Sequence, residues 1–290
     1  MKVLVIGGTR FFGIHTVNAL LKAGHEVTVA TRGNSGAVFG DKAAYLTVNR
    51  TDAGSMRRVF DGRHFDVVID KIAYCSNDIK YALDVLDCDR YIHMSSTAVY
   101  DPKHINTKEE DFDPLSRPLV WCDRSEYSYA EAKRQAERAL WQVYGDKRFV
   151  AVRYPFVIGE DDYTGRLLFY VEHTLRGIPM YVDNLDRQMG FIGSKEAGDF
   201  MAYLVDSDYT GAINGCASGT ISLREILEYT EKKSGIRAIL SDTGEPAPYN
   251  GEVEYSISTE RARSIGYEFR SLHDWIYALI DYYIRLISDR

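Results

Sequence analysis

The apolar positions change their period repeatedly along the chain, and that rhythm predicts the elements. Lys2 to Ile6 is a continuous apolar, β-branched run closed by two glycines, which reads as a buried strand. Gly13 to Ala23 then places Ile14, Val17, Leu20 and Leu21 at helical spacing, with Gly24 as the stop. Further strands are predicted over Val27 to Ala30, Asp66 to Asp70, Tyr91 to Met94 and Phe149 to Arg153. Helical patterns lie between them, over Ser55 to Phe60, Ile79 to Leu86 and Ser128 to Tyr144. Strands alternating with helices imply parallel pairing through right-handed crossovers, and hence an α/β, doubly wound sheet.

After Pro155 the rhythm loosens. Helical patches recur at Gly165 to Arg176, Ala197 to Asp206, Leu223 to Lys233 and Leu272 to Ile287. The predicted organisation is a nucleotide-binding domain over residues 1–155, with about 187–215 returning to it. Residues 156–186 and 216–290 form a smaller substrate-binding part.

Composition narrows the setting. The 290 residues are 45% hydrophobic, enough for a substantial core, and the net charge is −7. Such a surface does not attract nucleic acid or an anionic membrane nonspecifically. Four cysteines without a C-x-x-C pair read as ordinary thiols in a reducing compartment. The seven histidines show no metal-ligand spacing, so no metal site is expected. No long apolar window and no signal-like start is present, which predicts a soluble, cytoplasmic protein without membrane partners.

Chemistry enters with G-G-T-R-F-F-G, Gly7 to Gly13, between the first strand and the first helix. A glycine turn there lets backbone approach a pyrophosphate resting on the helix N-terminus, which predicts dinucleotide binding by Gly7, Thr9, Arg10, Phe11, Phe12 and Gly13. Arg10 stands where the usual pattern has its middle glycine. The second strand ends in Thr31-Arg32, where NAD sites commonly carry an acid for the ribose hydroxyls. A guanidinium there suits a 2′-phosphate, so NADP is favoured over NAD. Asn49 and Asp52 follow the third strand and are candidates for the adenine.

Two further motifs carry acid–base chemistry. In Y-A-E-A-K, Tyr129 and Lys133 share a helix face, and a nearby ammonium favours the phenolate. Such a tyrosine can exchange a proton with a substrate hydroxyl or carbonyl. Tyr127 has Glu131 at that spacing instead. H-M-S-S-T-A-V-Y, His93 to Tyr100, sets serine hydroxyls at the carboxyl end of the sheet, where open α/β folds bind ligands.

Taken in this order, the three motifs resemble the extended short-chain dehydrogenase/reductase family, in its NAD-dependent epimerase/dehydratase branch. The resemblance covers nearly the whole chain and is most specific before residue 155. It implies a Rossmann-type sheet with a smaller C-terminal substrate-binding domain. It assigns Ser96 to the reacting oxygen, Tyr129 to acid–base transfer, and Lys133 to the nicotinamide ribose and the tyrosine. The R-Y-P of Arg153 to Pro155 matches the family's R-x-P and brings Tyr154 into the implied cofactor site. Ile72 and Ala73 enter it where the family has L-A-A, although Lys71 begins that segment here. The function implied is hydride transfer at a hydroxyl or carbonyl carbon of a nucleotide sugar or related small molecule, by an epimerase, dehydratase or reductase. Arg187, Arg261 and Arg263 are candidates to grip substrate phosphates. The alternative is a non-catalytic NADP sensor or RNA-binding member of the fold, against which stand the acidic balance and the complete Ser96, Tyr129, Lys133 set. A homodimer is expected through the alanine-rich helix bearing Tyr129, where Ala130, Ala132, Ala136, Ala139, Leu140 and Val143 would permit close approach.

Overall fold

Strand β1 (Lys2–Ile6) runs through the middle of the molecule with four of its five residues buried. In chain order there follow α1 (Phe12–Lys22), β2 (Glu26–Thr31), β3 (Ala44–Thr47), α2 (Ala53–Phe60), β4 (His64–Asp70), α3 (Ser76–Leu83), β5 (Asp87–Met94), α4 (Tyr129–Gln142) and β6 (Phe149–Arg153). The second half adds β7 (Phe156–Ile158), α5 (Arg166–Arg176), β8 (Met180–Tyr181), β9 (Phe191–Gly193), α6 (Ser194–Asp206), β10 (Gly211–Asn214), α7 (Leu223–Ser234), β11 (Glu245–Pro246), α8 (Glu260–Ser264) and α9 (Ile276–Ser288). The computed structural model describes residues 1–289.

Seven strands form one sheet in the order β10-β6-β5-β4-β1-β2-β3. Every pairing is parallel, with Val3 opposite Val27 on one side and Val67 on the other. Parallel strands are covered on both faces, so their apolar runs do not alternate. On one face Val3, Val5, Ile69 and Val152 pack with Val17 and Leu20 of α1 and Phe200 and Met201 of α6. On the other, Leu4, Ile6, Val68 and Tyr91 pack with Met56, Ile79, Ala136 and Leu140 of α2, α3 and α4. Strand order reverses between β1 and β4, and such a switch point opens a crevice at the carboxyl ends of the strands.

A second core joins Leu167, Tyr170, Phe191, Ile226, Tyr249, Tyr255, Ile276 and Tyr283, beyond the sheet. Ala262 and Phe269 do not belong to it. They pack beside Phe200 in the sheet's own core, although the sequence division puts them in the smaller part. Gly198 lets α6 cross α1 closely, since a Cβ there would lie 2.7 Å from the Thr16 nitrogen.

The boundaries differ from the sequence reading where polar residues begin an element. Strand β5 starts at Asp87, and α3 spans Ser76–Leu83 rather than Ile79 to Leu86. Leu272 to Ile287 divides into a 3-10 turn, Leu272–Asp274, and α9.

Candidate active site

A cleft of about 390 Å³ opens at the switch point. Gly7 bends out of β1 with φ +89°, and a Cβ on it would lie 2.7 Å from the Ile72 side chain. The turn therefore needs glycine there. It ends at Phe11, itself at φ 53°, and delivers α1 with no side-chain cap and no acid in its first turn. Of its first amides, Gly13 N–H donates to the Arg10 carbonyl at 3.1 Å and Ile14 N–H to the Phe11 carbonyl at 2.9 Å, and the positive end of the helix dipole still favours an anion there. Thr9, Arg10, Phe11 and Phe12 line the cleft with Gly7. Gly13 lies behind them, where a Cβ would meet Lys71 Nζ at 2.7 Å.

The adenosine end is cationic and hydroxylic. Thr31 and Arg32 line it, and so do Asn34 and Ser35, which sequence reading missed. Thr31 Oγ1 accepts from the Gly33 N–H at 3.1 Å, and Ser35 Oγ accepts from Thr9 Oγ1 at 3.2 Å. Arg10 and Arg32 are exposed, and neither forms an ion pair among the described residues. Asn49 also lines the cleft, its Oδ1 turned to Thr51. Asp52 does not. Its carboxylate accepts from Gly54 N at 2.8 Å and Ser55 N at 3.2 Å, capping α2, and this corrects its assignment to the adenine.

The reactive end is built from β5 and α4. Of the two serines after β5, Ser95 is buried and donates to Glu137. Ser96 accepts from the Ala98 N–H at 3.1 Å and lies near the Tyr129 hydroxyl. Ser128 caps α4 and fixes the register of Tyr129, whose ring stands edge-on to Tyr74 at 6.0 Å. Tyr129 stands half exposed; partial desolvation raises its pKa, while the nearby Ser96 hydroxyl and the Arg166 charge oppose the rise.

Lys133 has no solvent exposure. Its Nζ donates to the Ala73 carbonyl at 2.7 Å and the Met94 carbonyl at 2.6 Å. Burial lowers its pKa to about 7. The direct lysine field on the phenol that the i, i+4 spacing suggests is thus replaced by backbone anchoring, because both carbonyls end at the amine. With both hydrogens of the neutral amine committed, its lone pair remains to accept from a ligand hydroxyl. Ile72 lines the cleft, while Ala73 contributes its carbonyl from a buried position.

Tyr154 is a second correction. It is buried against Phe12 and Phe200 and donates to the Ala197 carbonyl at 2.7 Å, so its side chain belongs to the core. Arg187, Arg261 and Arg263 do not line the cleft. Arg261 pairs with Glu109 and Glu110, and Arg187 donates to the Glu252 carbonyl. Sequence reading missed Tyr74, Arg124 and Tyr163, which close the cleft's outer side. Tyr74 follows the end of β4, a position open to the same argument that found Ser96. Tyr163 reaches the site from a distant loop, and nothing local marks it. Of the residues offered for a dimer, Ala132, Ala136, Ala139 and Leu140 are buried within their own chain, while Ala130 is partly exposed and Val143 is exposed.

The match to protein-family models accounts for this geometry. Residues 3–214 fit the model described as the NAD dependent epimerase/dehydratase family. The chain belongs to this family. A chloroplast stem-loop binding protein of 41 kDa from Arabidopsis thaliana is 33% identical over 132 residues, covering 40% of this chain and 35% of that protein. A 2′-dehydrokanamycin reductase from Streptomyces kanamyceticus is 26% identical over 216 residues, 72% of this chain and 59% of that one. The matches thus span only part of those relatives' length. The crystal structure of a Thermus thermophilus UDP-glucose 4-epimerase complexed with NAD superposes with a TM-score of 0.73 at 20% identity, covering 98% of this chain and 99% of that one. That likeness is one of fold. All four cysteines are free, and no described helix is long and apolar enough to cross a membrane.

Proposed function

We propose that this family member is an NAD(P)-dependent enzyme moving a hydride at a hydroxyl or carbonyl carbon of a nucleotide sugar or related small molecule, as an epimerase or reductase, and that NADP is its preferred cofactor. The observation that carries this reading is the glycine-lined cleft whose Tyr74 and Met94 adjoin Tyr129 and Lys133, with Ser96 on the same strand end as Met94. The residues fit a dinucleotide. The turn leaves room for it, the uncapped end of α1 suits its diphosphate, and two unpaired arginines suit a 2′-phosphate. The nicotinamide, when bound, supplies the hydride acceptor or donor.

The chain's own groups do the rest. Ser96 holds the reacting oxygen, and Tyr129 takes or gives its proton. Lys133, with its two N–H groups on the Ala73 and Met94 carbonyls, accepts from a hydroxyl of the nicotinamide ribose. A hydroxyl pair of this kind serves oxidation and reduction alike, so the substrate decides between the two reactions. The free thiols suit the reducing, cytoplasmic setting that the sequence suggests.

Native mass spectrometry of the purified protein tests the cofactor, and a screen of nucleotide sugars and small carbonyls with NADPH tests the reaction. Retained NADP(H) with turnover of any such substrate supports the proposal. No dinucleotide bound at millimolar concentration overturns it. The match to the stem-loop binding protein favours a second reading, RNA binding. Retention on heparin at low salt, with no response to NADPH, would select it.

A further inference from the structure

One buried cation has no carboxylate in ion-pair contact among the described residues. Lys71 follows β4 directly, is 6% exposed and lines the cleft. Its Nζ sits 3.6 Å over the Phe12 ring and donates to the Arg10 carbonyl at 3.2 Å. It occupies the space left by the absent side chain of Gly13. That position is the first turn of α1, an 11-residue helix without a cap or an acid there. A cation at a helix N-terminus faces the positive end of the dipole.

The surrounding charges do not relieve it. Among the described residues no carboxylate forms an ion pair with Lys71. Asp161, from the loop after β7, attracts it from further off and is itself held by His15 of α1 at 3.1 Å and Ser194 of α6 at 2.6 Å. Asp70, its neighbour on β4, is committed to Arg50 and Tyr91. Arg10, on the turn above, is another cation. Burial accordingly lowers the Lys71 pKa to about 7. A packing role would be met by an aliphatic side chain, at no cost in desolvation.

We propose that Lys71 is the counter-charge for the diphosphate of the dinucleotide, and that the dinucleotide enters its site together with a proton taken up by this amine. The inference rests on the dinucleotide reading above. A diphosphate on the turn compensates both the helix end and the ammonium, so the bound state favours the charged lysine. The sign follows from linkage. Below pH 7 the free amine is already protonated, and affinity is flat. Above pH 7 binding must bring the proton, and affinity falls by about tenfold per pH unit until the bound amine itself titrates.

Calorimetry with NADP⁺ at pH 8, in two buffers of different ionisation heat, reads the proton directly. Wild type should take up about one proton per dinucleotide. Lys71→Leu and Lys71→Arg should take up none, the first having no amine and the second a permanent charge. The probe 2′-AMP, which lacks the diphosphate, should also take up none. Should Lys71→Leu fold poorly, the wild-type pH profile and Lys71→Arg still decide. Tight NADP⁺ binding without proton uptake overturns the inference alone, as does uptake that persists in Lys71→Leu. Wild type that binds neither NADP⁺ nor NAD⁺ overturns the dinucleotide reading and the inference with it.

Discussion

Arg153 and Glu137 meet with no solvent on either side chain, Nε 2.9 Å from Oε1 and Nη2 2.5 Å from Oε2. The pair ties the end of β6 to α4 one helical turn beyond Lys133. Arg153 also donates to the Glu109 carbonyl and the Tyr100 hydroxyl, and Glu137 accepts from Ser95. Tyr100 in turn donates to Asn214 on β10. The loop carrying Ser96 and the helix carrying Tyr129 are therefore held to one buried network.

Breaking that network from one side should be costly. Arg153→Met leaves the Glu137 carboxylate buried without its cation, a change worth about 3–5 kcal/mol of stability. Adding Glu137→Leu removes the orphaned charge and should restore much of the loss. Urea titrations of the single and double variants measure both. Additive losses would mean that the two side chains are not coupled.

Tyr129→Phe should lower turnover by about 10²–10⁴-fold while leaving dinucleotide affinity near wild type, because it removes one hydroxyl and keeps the ring. Tyr127→Phe should do neither. Tyr127 is an exposed residue before the helix, and its i+4 neighbour Glu131 is already engaged by Arg134, Gln135 and Arg138. Loss of activity in Tyr127→Phe with retention in Tyr129→Phe would reverse the assignment.

These contrasts mark what the sequence could show. β1 and β6 were legible because strands buried on both faces are apolar throughout. The third strand, implied before Asn49, has no bounds in the apolar pattern, because Ala44–Thr47 is an edge strand, partly exposed along its length. Ser96, Tyr129 and Lys133 come from short motifs, and the 6.0 Å approach of Tyr129 to Tyr74 and the Lys133 bond to Met94 bring the latter two to the cleft. The partners of Lys133 are backbone carbonyls on other strands' ends, and no residue type announces a carbonyl. Asp52 shows a different failure. Asp before a helical run is a cap signal, and in the sequence it competes with the residue's nearness to the adenine loop. Tyr154 follows the buried Arg153, and only the packing of α6 shows which way its ring turns.

The choice between cofactors turns on Arg32. It stands exposed and unpaired at the end of β2, beside Asn34 and Ser35 and with no acid at the ribose position. Arg32→Asp should weaken NADPH by about ten- to a hundredfold, the worth of a hydrogen-bonded charge, and should leave NADH little changed. Fluorescence titrations with both cofactors read this. Equal losses, or a wild type that prefers NADH, would reject the NADP assignment.

Lys133 makes stability depend on pH in a direction opposite to a surface ion pair. Burial holds its pKa at about 7 in the folded chain, against an ordinary value of 10.5. Between those two values the unfolded chain binds a proton that the folded chain does not. Stability therefore rises with pH across that window, and the penalty is fully present only below about pH 7. Buried cysteines act with the other sign at higher pH, since burial pushes the thiols of Cys75, Cys88 and Cys216 up. Lys71 has the same sign as Lys133 and remains in both proteins compared. The quantity to follow is thus the unfolding free energy of wild type minus that of Lys133→Met, by urea titration between pH 7.5 and pH 9. The lost bonds to Ala73 and Met94 set a constant offset in that difference. The slope comes from the proton alone, and it should be about +1.4 kcal/mol per pH unit. Parallel curves would mean that Lys133 keeps its charge in the folded state, held by an interaction other than its two carbonyls.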